Sequence, residues 1–264
     1  MNQPLRQKAT PRAVDRPLER VEIDASRIDL ISLLDAAGLL EQFGDEERAR
    51  LELLDASKPS TLSVALCAAS RCVLAMRLGP VEDEAESALQ TLDMATRDKG
   101  QWAEATGALS PWPLAGLPET VVTDNGAGVQ SPRFRKALAD LGIAHEVAIR
   151  GGPAPRTLVE RLFHKMAIDL APHLLGQSLS KILLRGSCDA MGPAALTRDD
   201  LTFALVRWVV DVYHDSPQAG LGGQTPRARW QELVETRGVR PAPDMRTRRI
   251  VFGTALERVA VDRL

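Results

Sequence analysis

The stretch that decides the fold runs from Glu119 to Leu170 and contains TVVTDNGAGVQSPRF (120–134) and GGPAPRTLVERLFHKMAIDL (151–170). Its apolar, β-branched opening TVVT predicts a short strand, and the Asn-Gly pair that follows Asp124 predicts an immediate turn. Asp124 is therefore expected at the tip of a strand, where its carboxylate can face a ligand. The second segment predicts a helix that carries Glu160 near its start, and 35 residues separate the two acids.

A third acid, Asp24, lies in RVEIDAS (20–26), where the alternation of apolar and polar residues predicts the first strand. Residues 61–78 predict two more strands joined by a corner of small residues, and residues 83–99 predict an amphipathic helix. The whole order is then strand, strand, strand, helix, strand, helix, strand, helix. We therefore expect an α/β fold of the RNase H-like kind, with a mixed five-stranded sheet flanked by helices.

Length, charge and composition limit the classes of protein to which the chain can belong. With 264 residues the chain can form a sizeable core, and its formal net charge of −2 gives no whole-chain sign of a nucleic-acid partner. Both ends are basic, with five Lys/Arg against two acids in residues 1–20 and nine against five in residues 227–264. The longest apolar run, 62–76, is too short to span a bilayer, and the three cysteines lack metal-ligand spacing. We expect a cytoplasmic protein with reduced cysteines and no membrane partner.

Four motifs arrive in one order along the chain: VEID (21–24), TDNG (123–126), VER (159–161) and YHDSPQAGLGGQTPRARW (213–230). Together with the D, D, 35, E spacing, they resemble the integrase catalytic region of bacterial phage Mu-type DDE transposases, in the retroviral integrase superfamily. The resemblance covers roughly residues 20–230, which is most of the chain.

The resemblance implies an enzyme, a polynucleotidyl transferase that cleaves DNA at 3′ ends and transfers the strand to a target. Asp24, Asp124 and Glu160 would be the catalytic acids and would bind two Mg²⁺ or Mn²⁺ ions. Three neighbouring carboxylates repel one another unless cations lie among them, and Mg²⁺ prefers carboxylate oxygens. The implied partners are transposon ends and target DNA, further copies of the chain in a homo-oligomer on DNA, and an AAA+ ATPase that selects the target.

Each acid also has a structural explanation. Asp24 could be a solvated residue on an edge strand, and Asp124 could stabilise the turn that follows it. Thr157 and Glu160 have the spacing of a capping box, in which the glutamate folds back on the helix start. All three explanations would have to coincide with the motifs, so we favour the metal site.

The residues that we expect to contact DNA lie around the acids or in the basic C-terminal segment. Those beside Glu160 fall on or next to its helix face, although a solvated surface would have the same pattern. The arginines near the C-terminus suit a DNA backbone, and a solvated tail is an equal alternative. The full set is Asn125, Arg156, Arg161, His164, Lys165, Arg246, Arg248 and Arg249.

The expected domain organisation has four parts. They are an extended N-terminal lead-in (1–19), an RNase H-like catalytic core (20–176) with a helical insertion at about 35–58, a helical extension (177–236), and a basic linker with the truncated start of a small β-barrel (237–264). In the resembled family a small β-barrel begins at about this point, and only its first strands would be present here, so we expect this chain to be a fragment or a shortened copy.

Two other functions remain open at this stage. The chain could be a non-catalytic fragment that binds DNA or assembles with a full-length transposase. It could also be a general RNase H-like nuclease, which would cut DNA without preference for element ends.

Overall fold

The computed structural model describes most of the chain. The described residues are 14–28, 30–46, 48–49, 60–80, 84–124, 126, 128–148, 158–184 and 198–253.

A five-stranded mixed sheet forms the centre of the molecule, in the order β3-β2-β1-β4-β5. β1 pairs antiparallel with β2, and β2 antiparallel with β3, whereas β1, β4 and β5 are parallel. The five strands are β1 (Arg20–Ile28), β2 (Ser60–Cys67), β3 (Val73–Pro80), β4 (Thr120–Thr123) and β5 (Ala144–Val147). This is the strand order and direction of an RNase H-like sheet, and the predicted fold class is confirmed.

Helices cover the sheet and extend beyond it. β2 is buried along its whole length, including its polar residues Ser60, Thr61 and Ser63. The helices are α1 (Leu30–Ala36), α2 (Glu84–Thr96), α3 (Gly100–Ala105), α4 (Pro132–Asp140), α5 (Leu158–Leu184), α6 (Arg198–Arg207), α7 (Pro226–Arg237) and α8 (Met245–Phe252).

Helix starts follow the cap residues in the sequence. Ser131 accepts a hydrogen bond from the backbone N–H of Phe134, and Thr225 accepts one from Ala228, so each closes the first turn of its helix. A proline follows each cap at the first helical position, where its missing N–H costs nothing. α7 therefore begins directly after Thr225.

Two helices pack on opposite sides of the sheet and position the candidate site. α2 contacts β2 and β3, and α5 contacts β1, β2 and α1. α5 runs through residue 176, where we placed the end of the catalytic core, so one helix joins the core to the helical extension. Within the described residues, no helix combines the length and apolarity needed to cross a membrane.

The C-terminal segment differs from our expectation. We predicted a basic linker followed by the first strands of a β-barrel in residues 237–264, but residues 245–252 form the helix α8. Asp244 caps this helix by accepting a hydrogen bond from Thr247 N at 2.7 Å. Residues 254–264 lie outside the described part of the chain, so the barrel prediction concerns only them.

Candidate active site

Strand register brings the two aspartates to neighbouring positions. Ile23 of β1 is paired with Thr123 at the end of parallel strand β4, so Asp24 and Asp124 follow at the same level of the sheet. Neighbouring strands lie about 4.8 Å apart. The structure places Asp124 directly after the last residue of β4, at the strand tip where it was predicted.

Backbone and side-chain hydrogen bonds fix the loop that carries Asp124. Its carboxylate Oδ1 accepts the N–H of Gly126 at 2.8 Å, and its carbonyl accepts the hydroxyl of Thr123 at 3.0 Å. Because that hydroxyl donates to the carbonyl, His145 Nε2, 2.9 Å from Thr123 Oγ1, acts as the donor to it. Burial, together with the charge of Arg135, lowers the pKa of His145.

Asp24 and Asp124 line the same open pocket, which has a volume of about 260 Å³. The pocket lies between β1, β2, the start of α2 and the loop after β4. Apart from the two aspartates, its polar lining consists of hydroxyls, one carboxylate, one guanidinium and a pair of glycines: Thr61, Ser63, Ser87, Glu84, Arg27, Gly126 and Gly128.

Glu160 lies in the first turn of α5, and its side chain is exposed. It does not line the pocket of the two aspartates. Thr157, its predicted capping partner, lies outside the described residues. The structure therefore gathers two of the three predicted acids in one pocket and places the third on the helix that packs on β1.

The electrostatics of Asp24 connect all three acids. Burial raises the pKa of Asp24 to about 6, against a lowering effect of the hydrogen bond from Ala25 N. The negative charges of Asp124 and Glu160 raise this pKa further, and Glu22 adds a smaller effect in the same direction. A cation among these carboxylates would favour their ionised forms.

The donor chemistry fits a divalent ion, whereas the arrangement is not a preassembled cage. Carboxylate oxygens are the ligands that Mg²⁺ prefers, and Asp24 and Asp124 offer them to one pocket. Within the ranges that the structure describes, however, no three or more His, Cys, Asp or Glu side chains form a group that could hold a metal ion. Glu160 would have to approach the aspartates to complete such a site.

The predicted DNA contacts fall into three groups. Arg161 and His164 are exposed on α5, and Arg246 and Arg249 are exposed on α8. Lys165 forms an ion pair with Asp169 at 3.0 Å, and Arg248 donates to Asp93 through Nε and Nη2. Asn125 and Arg156 lie outside the described residues.

Sequence reasoning missed Glu22, which lies two residues before Asp24 on β1. Its Oε2 accepts the N–H of Leu158, the first residue of α5, at 2.8 Å. The alternation of β1 could have placed Glu22 on the same face as Asp24. The partner on a distant helix had no signal in the sequence.

Comparisons with known proteins agree with a transposase or integrase likeness. Residues 48–176, just under half of the chain, match the family model of the TnsB C-terminal domain. This range includes Asp124 and Glu160 but not Asp24. No curated protein matches the chain.

Two solved structures that resemble the chain illustrate the similarity. One is a chain of the simian T-cell lymphotropic virus intasome in complex with PP2A regulatory subunit B56 gamma, with 18% identity over 88% of this chain and a TM-score of 0.44. The present chain spans 60% of that chain. Another is the HTLV-2 integrase catalytic core domain in complex with magnesium (trimeric form), with 16% identity, coverage of 82% of this chain and 96% of that one, and a TM-score of 0.37.

Proposed function

We propose that this chain is the catalytic core of a phage Mu-type DNA transposase or integrase, a polynucleotidyl transferase that cleaves the 3′ ends of an element and joins them to target DNA. The observation that carries the proposal is the shared pocket of Asp24 and Asp124, on neighbouring parallel strands, with Glu160 close enough for its charge to raise the pKa of Asp24. The TnsB C-terminal domain match supports the same class.

In this proposal Asp24, Asp124 and Glu160 supply the carboxylate oxygens that hold two Mg²⁺ or Mn²⁺ ions. Such ions, when bound, activate the attacking oxygen and stabilise the leaving one in an in-line displacement at phosphorus. The hydrogen bonds of Gly126 and Thr123 keep the Asp124 loop in place. The HTLV-2 integrase core that shares the fold contains magnesium, in agreement with this choice of ion.

DNA would lie across exposed basic residues of α5 and α8. Arg161 and His164 lie on α5 within four residues of Glu160, and their side chains are exposed. Arg246 and Arg249 add positive charge on α8. Phosphate contacts of this kind position the DNA without reading its sequence. We extend the proposal to Asn125 and Arg156 by resemblance, and to a homo-oligomer on paired ends with an AAA+ ATPase as target selector.

The first test is Mn²⁺ in crystals of the chain. Anomalous density between Asp24, Asp124 and Glu160, held by at least two of the three carboxylates, would support the metal site. The same soak of Asp124→Asn should lose the density. Carboxylates that stay apart in Mn²⁺, with no density, would contradict the proposal.

The second test is strand transfer with pre-cleaved element ends. Asp124→Asn should abolish Mn²⁺-dependent joining and keep DNA binding, because the change removes a charge from the pocket and leaves the basic surface intact. Asp140→Asn is the matched control, since that carboxylate pairs with Lys136 on the surface of α4. Joining that survives Asp124→Asn would show that the triad is wrongly assigned. Equal cutting of end-sequence and random duplex would favour a general nuclease.

One observation favours a second candidate function, a non-catalytic fragment that binds DNA or assembles with a complete transposase. Glu160 lies outside the pocket, and the described residues contain no assembled metal-binding group. This candidate predicts that the chain binds DNA with an affinity that falls as the salt concentration rises. It also predicts that Mn²⁺ causes no change at Asp24, Asp124 and Glu160.

A further inference from the structure

The carboxylate of Glu22 forms the link between the central strand of the site and the helix that carries Glu160. Glu22 and Asp24 are two residues apart on β1 and therefore project from the same face of the strand. The Oε2 atom of Glu22 accepts the backbone N–H of Leu158 at 2.8 Å. α5 contacts this region of β1.

The hydrogen bond from Leu158 N to Glu22 is made at the first residue of α5, so it constrains the direction of the first turn. The first N–H groups of a helix have no partner within the helix, and a carboxylate near this end also interacts favourably with the helix dipole. Leu158 is the first residue of α5, and Glu160 lies two residues later in the same turn. Fixing Leu158 to Glu22 therefore limits where the Glu160 backbone can lie relative to Asp24.

One guanidinium, that of Arg71, interacts electrostatically with Glu22. The pKa of Arg71 is lowered by burial and by the charge of Arg161, and the charge of Glu22 acts in the opposite direction. Glu22 therefore interacts with Leu158 N through a hydrogen bond and with the charge of Arg71. A side chain held in this way is a firm anchor for the helix.

We propose that Glu22 is a positioning residue, which fixes the first turn of α5 through Leu158 and thereby limits the distance between Glu160 and Asp24. The consequence for catalysis rests on the proposed metal site. The effect on α5 itself does not, and it can be measured without a metal.

The direct test is amide hydrogen exchange of Leu158 by NMR, on the full chain without metal. Glu22→Ala removes the acceptor and should make exchange at Leu158 at least tenfold faster. Glu22→Gln keeps an acceptor oxygen and should stay within threefold of the wild-type chain. The matched control is Glu146→Ala, which removes a carboxylate that pairs with Arg20 on the same sheet. Unchanged exchange in Glu22→Ala would overturn the proposal.

A second variant removes the same bond from the helix side. Proline is accepted at the first position of a helix, so Leu158→Pro deletes the donor N–H and leaves the charge of Glu22 in place. The shift in urea midpoint caused by Glu22→Ala should then largely disappear when it is made together with Leu158→Pro. If Glu22→Ala does not fold alone, the Gln variant and Leu158→Pro are compared instead. Two independent, additive shifts would contradict the proposed bond.

Mn²⁺ titration, followed by the EPR signal of the free ion, connects the anchor to the site. Glu22→Ala and Leu158→Pro should each weaken Mn²⁺ binding at least tenfold, while Glu22→Gln stays within threefold. Wild-type Mn²⁺ affinity in Glu22→Ala would overturn the positioning role. Failure of the wild-type chain to bind Mn²⁺ would instead contradict the proposed function, and the exchange experiment would still decide whether Glu22 anchors α5.

Discussion

Asp24 is an acid in a place that disfavours its charge. It is half-buried, and Asp124, Glu160 and Glu22 all add negative potential there. The backbone N–H of Ala25 donates to Asp24 Oδ1 at 2.8 Å and acts against these effects. A folded state that accepts this cost without a metal is expected to become more stable when the charge is removed.

Asp24→Asn should therefore stabilise the metal-free chain at pH 8, where the wild-type carboxylate is ionised. The pKa rise from 3.8 to about 6 sets the scale, and after allowance for partial solvent exposure we expect a gain of about 1 to 2 kcal/mol in the free energy of unfolding. Urea unfolding in EDTA measures it. The asparagine oxygen can still accept the Ala25 N–H.

Asp98→Asn is the matched control for this change. Asp98 also accepts a backbone N–H, from Gly100 at 2.6 Å, but its side chain is exposed, so the change should alter stability little. A loss of stability in Asp24→Asn would mean that a positive group, rather than other acids, dominates around Asp24.

The site residues differ in how far their positions can be predicted from the sequence. Asp124 is predictable because a β-branched strand and an Asn-Gly turn define its place locally. The closeness of Asp24 to Asp124 can be predicted only from the order of the strands in the sheet. Glu22 is not predictable, because its role depends on Leu158, which is distant in the sequence and meets it only after α5 packs on β1.

At the scale of single elements, the sequence predicted every strand of the sheet but failed at α8. The run Ile250, Val251, Phe252 is β-branched and aromatic, and a short apolar run cannot distinguish strand from helix. Tertiary contacts decide the outcome: Arg248 binds Asp93 of α2, and Arg133 of α4 donates to the carbonyl of Phe252 at 3.2 Å. The Asp244 cap was the one local sign of a helix.

Arg248 should be a structural residue of α8, in contrast to its exposed neighbours. Its guanidinium donates to both carboxylate oxygens of Asp93, and both side chains are only 15% exposed. Arg248→Ala should lower the free energy of unfolding by about 1 to 3 kcal/mol, because Asp93 keeps a partly buried charge. Urea unfolding measures this loss.

Arg246→Ala and Arg249→Ala are the matched comparisons on the same helix. Both side chains are exposed, so each change should leave the free energy of unfolding within about 0.5 kcal/mol of the wild-type value. Each change should also weaken DNA binding and make the affinity less dependent on salt concentration. Equal stability of all three variants would contradict the docking of α8 through Arg248.

At the scale of the whole molecule, the C-terminal extension is attached to an edge of the sheet. β3 is an edge strand, and its first residue, Val73, has its N–H bound by His214 Nε2 at 3.1 Å and its carbonyl bound by Trp112 Nε1 at 2.9 Å. The hydroxyl of Tyr213 donates to Arg71 O at 3.0 Å. The Tyr-His pair of the last sequence motif therefore joins the extension to the core.

Lys99, buried near this junction, should make stability depend on pH above neutrality. Its ammonium donates to Leu114 O and lies 5.9 Å from the Trp112 ring, and burial lowers its pKa to about 7. Between pH 7 and 10.5 the unfolded chain holds this proton and the folded chain does not, so stability rises with pH, by up to about 1.4 kcal/mol per unit. Urea midpoints at pH 7 and 9 should show the rise in the wild-type chain and a smaller one in Lys99→Met. An equal rise in both would exclude Lys99 as its source.

His214 should make the same junction sensitive to acid. Burial lowers its pKa to about 3, with Arg227 and Lys99 acting in the same direction, whereas in the unfolded chain it titrates near 6.5. Stability is therefore fully present above pH 6.5 and is lost as the pH falls toward 3, because only the unfolded chain takes up the proton, at up to about 1.4 kcal/mol per unit. His214→Gln keeps an acceptor for Val73 N. Between pH 6.5 and 4.5 it should reduce the slope of the unfolding free energy against pH by up to about 1.4 kcal/mol per unit.

The comparison of slopes separates His214 from the acids that titrate in the same range, since those acids are present in both chains. His164→Gln, a change at an exposed side chain, should leave the slope as in the wild-type chain. If His214→Gln has the wild-type slope as well, then the histidine is solvated at low pH and the extension must already have separated from β3. Protection of the Val73 amide in hydrogen exchange at pH 5 tests this directly, because that N–H is bound only while the extension stays docked.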